Sequence, residues 1–204
     1  FNFPYKLVNE KNTPSFTKAF MNLQDSTTKI LMTYSNVAHE ESLWIDIFPI
    51  DGLPSNPIKK YLHEKRYLFS RMMVQLSQFN KIVNQNKENR PFLEKLIIKI
   101  AEIINIEKVL SYPFWQKNYI STISKYGMSE GYAGNYTGAY KLRELVPTDY
   151  FGSGASLSFE NIMIKVPEKY KEYLKAIYGD NYMQLPPEDK RVPTHSSQQI
   201  RVFD

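Results

Sequence analysis

The sequence predicts an α+β fold, because three stretches of the chain differ in residue pattern. The first fifty residues are rich in strand signals, and residues 56–126 carry the apolar spacing of helices, as a helical insertion would. The C-terminal part predicts a hairpin followed by a helix. Without repeats or a clear domain linker, residues 1–204 are expected to form a single domain with a sizeable core.

Composition narrows the class of protein. The chain has 15 tyrosines and 12 phenylalanines, which predict an aromatic core and a stacking pocket. It has no cysteine, which excludes disulfides and thiolate metal sites and is typical of a reducing compartment; we expect a cytoplasmic protein. The net charge of +5 suits an anionic substrate or peripheral contact with an anionic membrane, although a solvated exterior is the commoner reason. No nucleic-acid partner is expected.

The stretch from Leu43 to Phe48 alternates as a strand and places one acid among aromatics. Asp46 shares a face with Trp44 and Phe48 inside an otherwise apolar run. A bare buried carboxylate is costly, so Asp46 needs a hydrogen-bonded partner, a cation or a metal. We expect it to be buried, directed toward a pocket, with a polar group in reach. The alternative is an aspartate that caps a neighbouring loop.

Pro49 is expected to end this strand, because proline cannot donate to a sheet ladder. Asp51 and Gly52 then predict a turn. Asp51 would lie just beyond the strand's C-terminal end, where open α/β sheets commonly bind ligands. Its alternative role is that of a turn residue alone.

Helix signals follow. Pro57 opens a helix that runs to about residue 84, Pro91 opens a second with a continuous apolar stripe, and a third covers about 112–125 and stops at Gly127. Met and aromatic positions in these helices are interpreted as core. A basic helix face is interpreted as solvated, with phosphate or membrane attraction as the alternative; it comprises Lys59, Lys60, Lys65, Arg66 and Arg71.

Residues 131–140 form the most glycine-rich segment, without the spacing of a phosphate loop or a dinucleotide fingerprint. Its glycines alternate with Tyr132, Tyr136 and Tyr140, so a ligand can approach the backbone while rings stack on it. Tyr132 and Asn135 are therefore candidate substrate-binding residues. A twisted edge strand with packing tyrosines is equally consistent with the pattern.

The C-terminal part predicts a hairpin over 157–166 and a helix from Glu168 that Gly179 ends. Glu160, in the hairpin turn, is a further candidate substrate-binding residue. The tail after Pro187 is expected to follow a fixed path back toward Asp46, or else to cover the outer surface loosely. The three histidines, including His195, do not have the spacing of a zinc site.

Two separated motifs carry a family resemblance. Residues 44–54, Trp-Ile-Asp-Ile-Phe-Pro-Ile-Asp-Gly-Leu-Pro, and residues 178–187, Tyr-Gly-Asp-Asn-Tyr-Met-Gln-Leu-Pro-Pro, with His195 beyond, resemble the LicD family. That family includes phosphocholine transferases and fukutin-related sugar-modifying enzymes. The resemblance implies a nucleotidyltransferase-like fold with a mixed sheet.

The resemblance also implies a function. It implies a metal-dependent transferase that moves phosphocholine or a similar phosphorylated group from a nucleotide-diphosphate donor of the CDP-choline kind. The acceptor would be a cell-surface glycan, teichoic acid or lipopolysaccharide precursor, and the cofactor Mg²⁺ or Mn²⁺. The implied catalytic residues are Asp46, which also binds the metal, Asp51 and His195, and Asp180 would bind substrate. Arg143 is a candidate substrate-binding residue because its guanidinium can neutralise a phosphate oxygen.

One family feature is not found in the sequence. The family holds its metal with an acidic cluster of the Asp-Asp-Asp-x-Asp kind, and these 204 residues contain no such cluster. We therefore expect the cluster upstream of Phe1, an N-terminally truncated chain, and no activity from this chain alone.

Two other functions stay open. A non-catalytic binding domain for an anionic polymer or glycan explains the charge and the missing cluster, but it leaves Asp46 among the aromatics unexplained. A hydrolase that uses Asp46 with His195 lacks a nucleophile motif.

Overall fold

The structure, a computed structural model, describes residues 4–13, 16–32, 39–83, 91–188, 191 and 197–202. The strands are β1 (Tyr5–Val8), β2 (Met21–Met32), β3 (His39–Ile47), β4 (Asp51–Pro54), β5 (Gly131–Gly134), β6 (Val146–Pro147), β7 (Ala155–Phe159), β8 (Ile162–Val166) and β9 (Ser197–Val202). The helices are α1 (Pro57–Leu76), α2 (Phe79–Ile82), α3 (Phe92–Ile103), α4 (Ile106–Val109), α5 (Tyr112–Ile123) and α6 (Tyr170–Tyr178). The predicted α+β class is confirmed.

The chain divides into two compact units. The first comprises residues 1–47, 67–120 and 193–204, and the second residues 48–66 and 121–192, so the division falls within α1 and α5. The expectation of a single domain concerns the whole chain and stays a prediction.

The sheet of the first unit has the order β1-β2-β3, and β9 also pairs with β2. Every pairing in it is antiparallel, with Asn22 opposite Asp46 and Leu23 opposite Ile45. The register between β2 and β3 shifts between Asp25 and Ile30, while β1 pairs with residues 22–25 of β2 and β9 with residues 28–32. Residues 197–202 of the tail thus pair with residues 28–32 of β2, further along that strand than Asn22, the partner of Asp46, and the path back toward Asp46 stays a prediction.

The core of the first unit combines strand and helix side chains: Val8, Ile30, Met32, Tyr67, Val74, Phe79, Ala101 and Tyr119. Tyr67 of α1 is fully buried, and its ring centroid lies 6.2 Å from that of Tyr119 in α5. The apolar stripe of α3 lies outside this core, since Leu93, Leu96, Ile97, Ile100 and Ile103 are exposed and only Ala101 of that helix is buried.

The sheet of the second unit has the order β4-β5-β6 and is also antiparallel. Asp51 and Gly52 begin β4, opposite Gly134 and Ala133, so the predicted turn at these two residues is wrong. Extended backbone is imposed here by ladder pairing with β5, which lies in the middle of its sheet and not at an edge.

Gly52 marks a very close approach of two backbone segments. Its N–H donates to the carbonyl of Tyr126 at 2.9 Å, and a Cβ on it would lie 1.9 Å from the carbonyl oxygen of Gly127. A position this tight accepts only glycine, because backbone atoms cannot rotate away as a side chain can.

The predicted C-terminal hairpin and helix are confirmed by β7, β8 and α6. The helix ends at Gly179, whose φ of 90° lies in the region that glycine adopts freely. The mixed sheet implied by the resemblance would contain parallel strand pairs. The pairings between the described strands are antiparallel, so the nucleotidyltransferase-like sheet is not confirmed. Within the described part of the chain, no helix has the length and hydropathy required to span a bilayer.

A histidine lies in the core of the second unit. His63 of α1 is 4% exposed and meets Tyr126 and Tyr136 edge to face, with ring centroids 4.9 and 5.7 Å away. Its Nε2 has no hydrogen-bond partner. Burial, with the charges of Lys125 and Arg66, lowers the pKa of His63 to about 4, so the ring is neutral at pH 7.

We expect Gly52→Ala to destabilise the fold by about 2 kcal/mol or more, because the new methyl group overlaps the Gly127 carbonyl. Gly127→Ala is the matched control: its φ is −83°, and the nearest atom to a new Cβ is 3.9 Å away. Urea unfolding of both variants measures the difference. Equal stabilities would show that the two segments are not in close contact.

Stability should fall with acid, in part through His63. Its pKa is about 6.5 in the unfolded chain and about 4 when folded, so the unfolded state binds the extra proton as the pH drops through that window. The contribution of His63 to the free energy of unfolding is fully present above pH 6.5. It falls by roughly 1–2 kcal/mol as the pH approaches 4, after allowance for partial solvation. His63→Phe keeps the ring contacts, so its melting temperature should drop less than wild type between these pH values; parallel curves would contradict this.

Candidate functional site

Asp46 lies near the end of β3, in the first unit, and has the polar partner that was predicted. The side-chain amide of Asn22, opposite it on β2, donates a hydrogen bond to Asp46 Oδ1. Asn22 is fully buried, and its Oδ1 lies 3.5 Å from the Lys18 ammonium nitrogen. A short chain of polar contacts therefore runs from Lys18 through Asn22 to Asp46.

The predicted burial of Asp46 is wrong, since the residue is exposed. Burial was inferred from aromatic neighbours, but Phe48 lies beyond the end of β3 and is 39% exposed. Trp44 is half-buried and is contacted by Lys18, whose Nζ lies 4.6 Å from the centroid of its ring. The desolvation cost that called for a metal at Asp46 therefore does not arise here.

Lys18 is a residue that the sequence reasoning missed. Besides Trp44 it approaches the rings of Phe16 and Phe20, each at 5.8 Å, and forms an ion pair with Glu41 at 3.3 Å. The aromatic residues on both sides of Lys18 in the sequence were the available signal. The strand register that brings Asn22 opposite Asp46 had no such signal, because it is set by pairing between distant residues.

The described residues do not by themselves fit a Mg²⁺ or Mn²⁺ ion. Among them there is no group of three or more His, Asp or Glu side chains placed to hold a metal, whereas such ions take several oxygen ligands. Asp46 offers one exposed carboxylate with a neighbouring amide. Its metal-binding role stays a prediction.

Asp51 lies at the start of β4, in the second unit. It is half-buried, and burial raises its pKa to about 6. Its partner across the ladder is Gly134 of β5. A Cβ on Gly134 would lie 1.9 Å from the carbonyl oxygen of Glu144, so β5 packs closely against that residue. A carboxylate that titrates near neutral pH is suited to accepting a proton.

The glycine- and tyrosine-rich segment combines packing with exposed rings. Tyr136 is fully buried and its hydroxyl donates to the Gly52 carbonyl at 3.1 Å. Tyr132 is half-buried, and the Lys60 ammonium lies 4.0 Å from its ring centroid. Asn135 is buried, and its Oδ1 accepts the backbone N–H groups of the two residues at 137 and 138, at 2.8 and 3.2 Å. These contacts give Tyr132 and Asn135 structural roles; their substrate-binding roles stay predictions.

Arg143 lies in a 3-10 turn, Lys141–Glu144, that contacts the end of α6. Its guanidinium donates to the carbonyl of Ile177 at 2.7 Å and lies 5.8 Å from the ring centroid of Tyr140. The neighbouring Glu144 is buried, and its Oε1 accepts the Tyr140 N–H at 3.3 Å.

The remaining predicted residues lie apart from these contacts. Glu160 is exposed in the β7–β8 turn with a φ of 52°, and Asp180 is exposed and paired with Lys175 at 2.6 Å. His195 lies outside the described residues. The second unit thus holds Asp51, Tyr132, Asn135, Arg143, Glu160 and Asp180, and the first holds Asp46.

Comparison with known proteins gives one informative similarity. The chain is 31% identical over 162 residues to the lipopolysaccharide cholinephosphotransferase LicD of Haemophilus influenzae, a match that covers 75% of this chain and 55% of that protein. The chain thus spans about half the length of this curated relative. No family model and no solved structure matches it. Together with the motifs at residues 44–54 and 178–187, this similarity supports membership of the chain in the LicD family.

Proposed function

We propose that the protein takes part in transfer of phosphocholine from a nucleotide-diphosphate donor of the CDP-choline kind to a cell-surface glycan. The acceptor is a lipopolysaccharide or teichoic acid precursor. The observation that carries this proposal is the 162-residue similarity to a lipopolysaccharide cholinephosphotransferase.

The reaction needs a base. An acceptor hydroxyl forms a new O–P bond to the phosphorus that bears choline, the bond from that phosphorus to the nucleotide breaks, and nucleoside monophosphate leaves. The hydroxyl proton must be removed, and in this proposal the Asp51 carboxylate accepts it. Its half-buried position and pKa of about 6 leave it largely ionised at pH 7 while still basic enough to take the proton.

Asp46 is proposed to act differently. It is exposed and its Oδ1 is held by the Asn22 amide, so its second oxygen is free to turn toward a ligand. We propose that this carboxylate contributes to binding Mg²⁺ or Mn²⁺, which would neutralise donor phosphate charge. Since the described residues do not assemble a further set of acids, we also propose that this chain alone does not turn over.

The enzyme is proposed to work in the cytoplasm, in peripheral contact with an anionic membrane. The outward face of the first part of α1 supports membrane contact. It carries three exposed apolar side chains, Ile58, Tyr61 and Leu62, at 72, 58 and 60% exposure. Lys59, Lys65 and Arg66 lie exposed beside them, and the half-buried Glu64 is the one acid of residues 57–66.

This face combines two features that a solvated helix does not need. Apolar residues at the i, i+3 and i+4 positions normally face a core, whereas here they face outward. Its basic residues begin near the N-terminus of α1, with no acid in the first turn, and the helix dipole disfavours cations there. Attraction to anionic headgroups with shallow apolar insertion accounts for both. The same basic residues also favour the second candidate, a non-catalytic domain that binds an anionic polymer.

In the full-length enzyme we expect Asp51→Asn to lower kcat by about 10²-fold or more and to remove the decline in kcat/KM below pH 6.

Asp46→Asn should lower kcat by a similar factor, as loss of a charge near the donor phosphates would. Release of nucleoside monophosphate from CDP-choline measures both. Asp149→Asn, an exposed acid paired with Lys169, is the control and should be near wild type. Unchanged rates in both Asp51 and Asp46 variants would refute the assignment.

Membrane contact is tested by vesicle sedimentation. The triple variant Lys59→Gln, Lys65→Gln, Arg66→Gln should lose most binding to vesicles that contain phosphatidylglycerol. Its charge-matched control replaces Lys108, Lys117 and Lys165, which are also exposed, and should retain binding. Leu62→Gln should weaken vesicle binding without changing affinity for soluble heparin; equal loss of both would favour the polymer-binding alternative.

A further inference from the structure

Two exposed tyrosine rings form a corner on the second unit. Tyr140, after the glycine-rich segment, and Tyr178, at the end of α6, have ring centroids 5.3 Å apart and ring planes at 84°. They are 41 and 54% exposed. The two rings are nearly perpendicular and open to solvent, so they can present their π-faces to a ligand. The π-faces of aromatic rings attract cations.

A buried carboxylate lies beside this corner. Glu144 is 8% exposed, and its Oε1 accepts the N–H of Tyr140. Burial raises the pKa of the Tyr178 phenol, and Tyr140 and the Glu144 charge raise it further, so the phenol stays neutral at pH 7. The same carboxylate contributes to the raised pKa of Tyr173, after burial, which locates its charge near both helix tyrosines.

The corner is held in place from both sides. Arg143 connects the turn that follows Tyr140 to the last turn of α6 through its hydrogen bond to Ile177. Gly138 lies against the Glu144 carboxylate so closely that a Cβ there would be 2.1 Å from Oε1. A preformed arrangement of this kind avoids the cost of ordering side chains when a ligand binds.

We propose that Tyr140, Tyr178 and Glu144 bind the trimethylammonium group of the choline moiety, with Arg143 close enough to receive the attached phosphate. This inference rests on the proposed function, which supplies the choline-bearing substrate. A quaternary ammonium cannot donate a hydrogen bond, so aromatic faces and a nearby negative charge are the groups that recognise it. Arg143 supplies the positive charge for the phosphate, and its guanidinium lies over one face of the Tyr140 ring, 5.8 Å from the ring centroid.

The first experiment measures ligand binding to the 204-residue chain, without donor or turnover. Choline and phosphocholine are titrated separately and followed by NMR, with uncharged 3,3-dimethylbutan-1-ol as the isosteric control. We expect choline to bind at least about fivefold more tightly than the alcohol, because the cation–π attraction requires charge. Equal affinities would overturn the proposal.

Variants test which side chains bind choline and which binds the phosphate. Tyr178→Leu and Tyr140→Leu should each weaken choline binding about fivefold or more, while Tyr178→Phe should retain it. Tyr5→Leu is the matched control, because Tyr5 is also 54% exposed but belongs to the first unit. Arg143→Gln should weaken phosphocholine binding more than choline binding, because only phosphocholine carries a phosphate. Melting curves verify that each variant is folded, and a folded Tyr178→Leu with wild-type choline affinity would refute the site.

Failure of this inference is distinguishable from failure of the proposed function. Phosphocholine transfer by the full-length enzyme, with unchanged KM for CDP-choline in Tyr140→Leu and Tyr178→Leu, would keep the function and overturn this site. Choline binding by the chain without any transfer by the full-length enzyme would keep this site and overturn the proposed function.

Discussion

The close approach of backbone segments at Gly52 and Gly134 is the constraint on which the second unit depends. At both positions a single methyl group would overlap a carbonyl oxygen, that of Gly127 or that of Glu144. Because these segments touch, Asp51 is partly withdrawn from water, and Tyr136 can reach the Gly52 carbonyl with its hydroxyl. Burial raises the pKa of Asp51, which precedes Gly52 in β4 and pairs with Gly134 across the ladder.

The two acids of the first motif differ in environment although only four residues separate them in the chain. Asp46 is exposed and hydrogen-bonded by a buried amide, and Asp51 is half-buried with a raised pKa. An exposed carboxylate is accessible to a cation, whereas one with a pKa near 6 suits proton transfer. The two aspartates of one motif are therefore suited to different chemical roles, because their environments differ.

Local patterns predicted much of the fold. The change from strand to helix signals near residue 56, the hairpin around Asn161 and the helix stop at Gly179 all have short-range causes and were foreseen. The exposure of Asp46 and the pairing of Asp51 in a strand depend on which distant segments lie next to these residues. Local patterns in one sequence do not reveal such long-range contacts. The position of Asn22 opposite Asp46 was missed for the same reason, whereas Lys18 had a local signal in the aromatic residues on both sides of it.

The pairing of β9 with β2 has a consequence for biosynthesis. Thr28 lies opposite Val202, so strands that are neighbours in the sheet are made far apart in time. At roughly 5–20 residues per second, a ribosome needs on the order of 10–35 s between them. During that interval the backbone donors and acceptors along this part of β2 lack the strand that later pairs with them, and an unpaired edge invites pairing with other nascent chains. The sheet of the first unit is thus completed only after residue 202 has been synthesised, and until then this part of β2 is an unpaired edge.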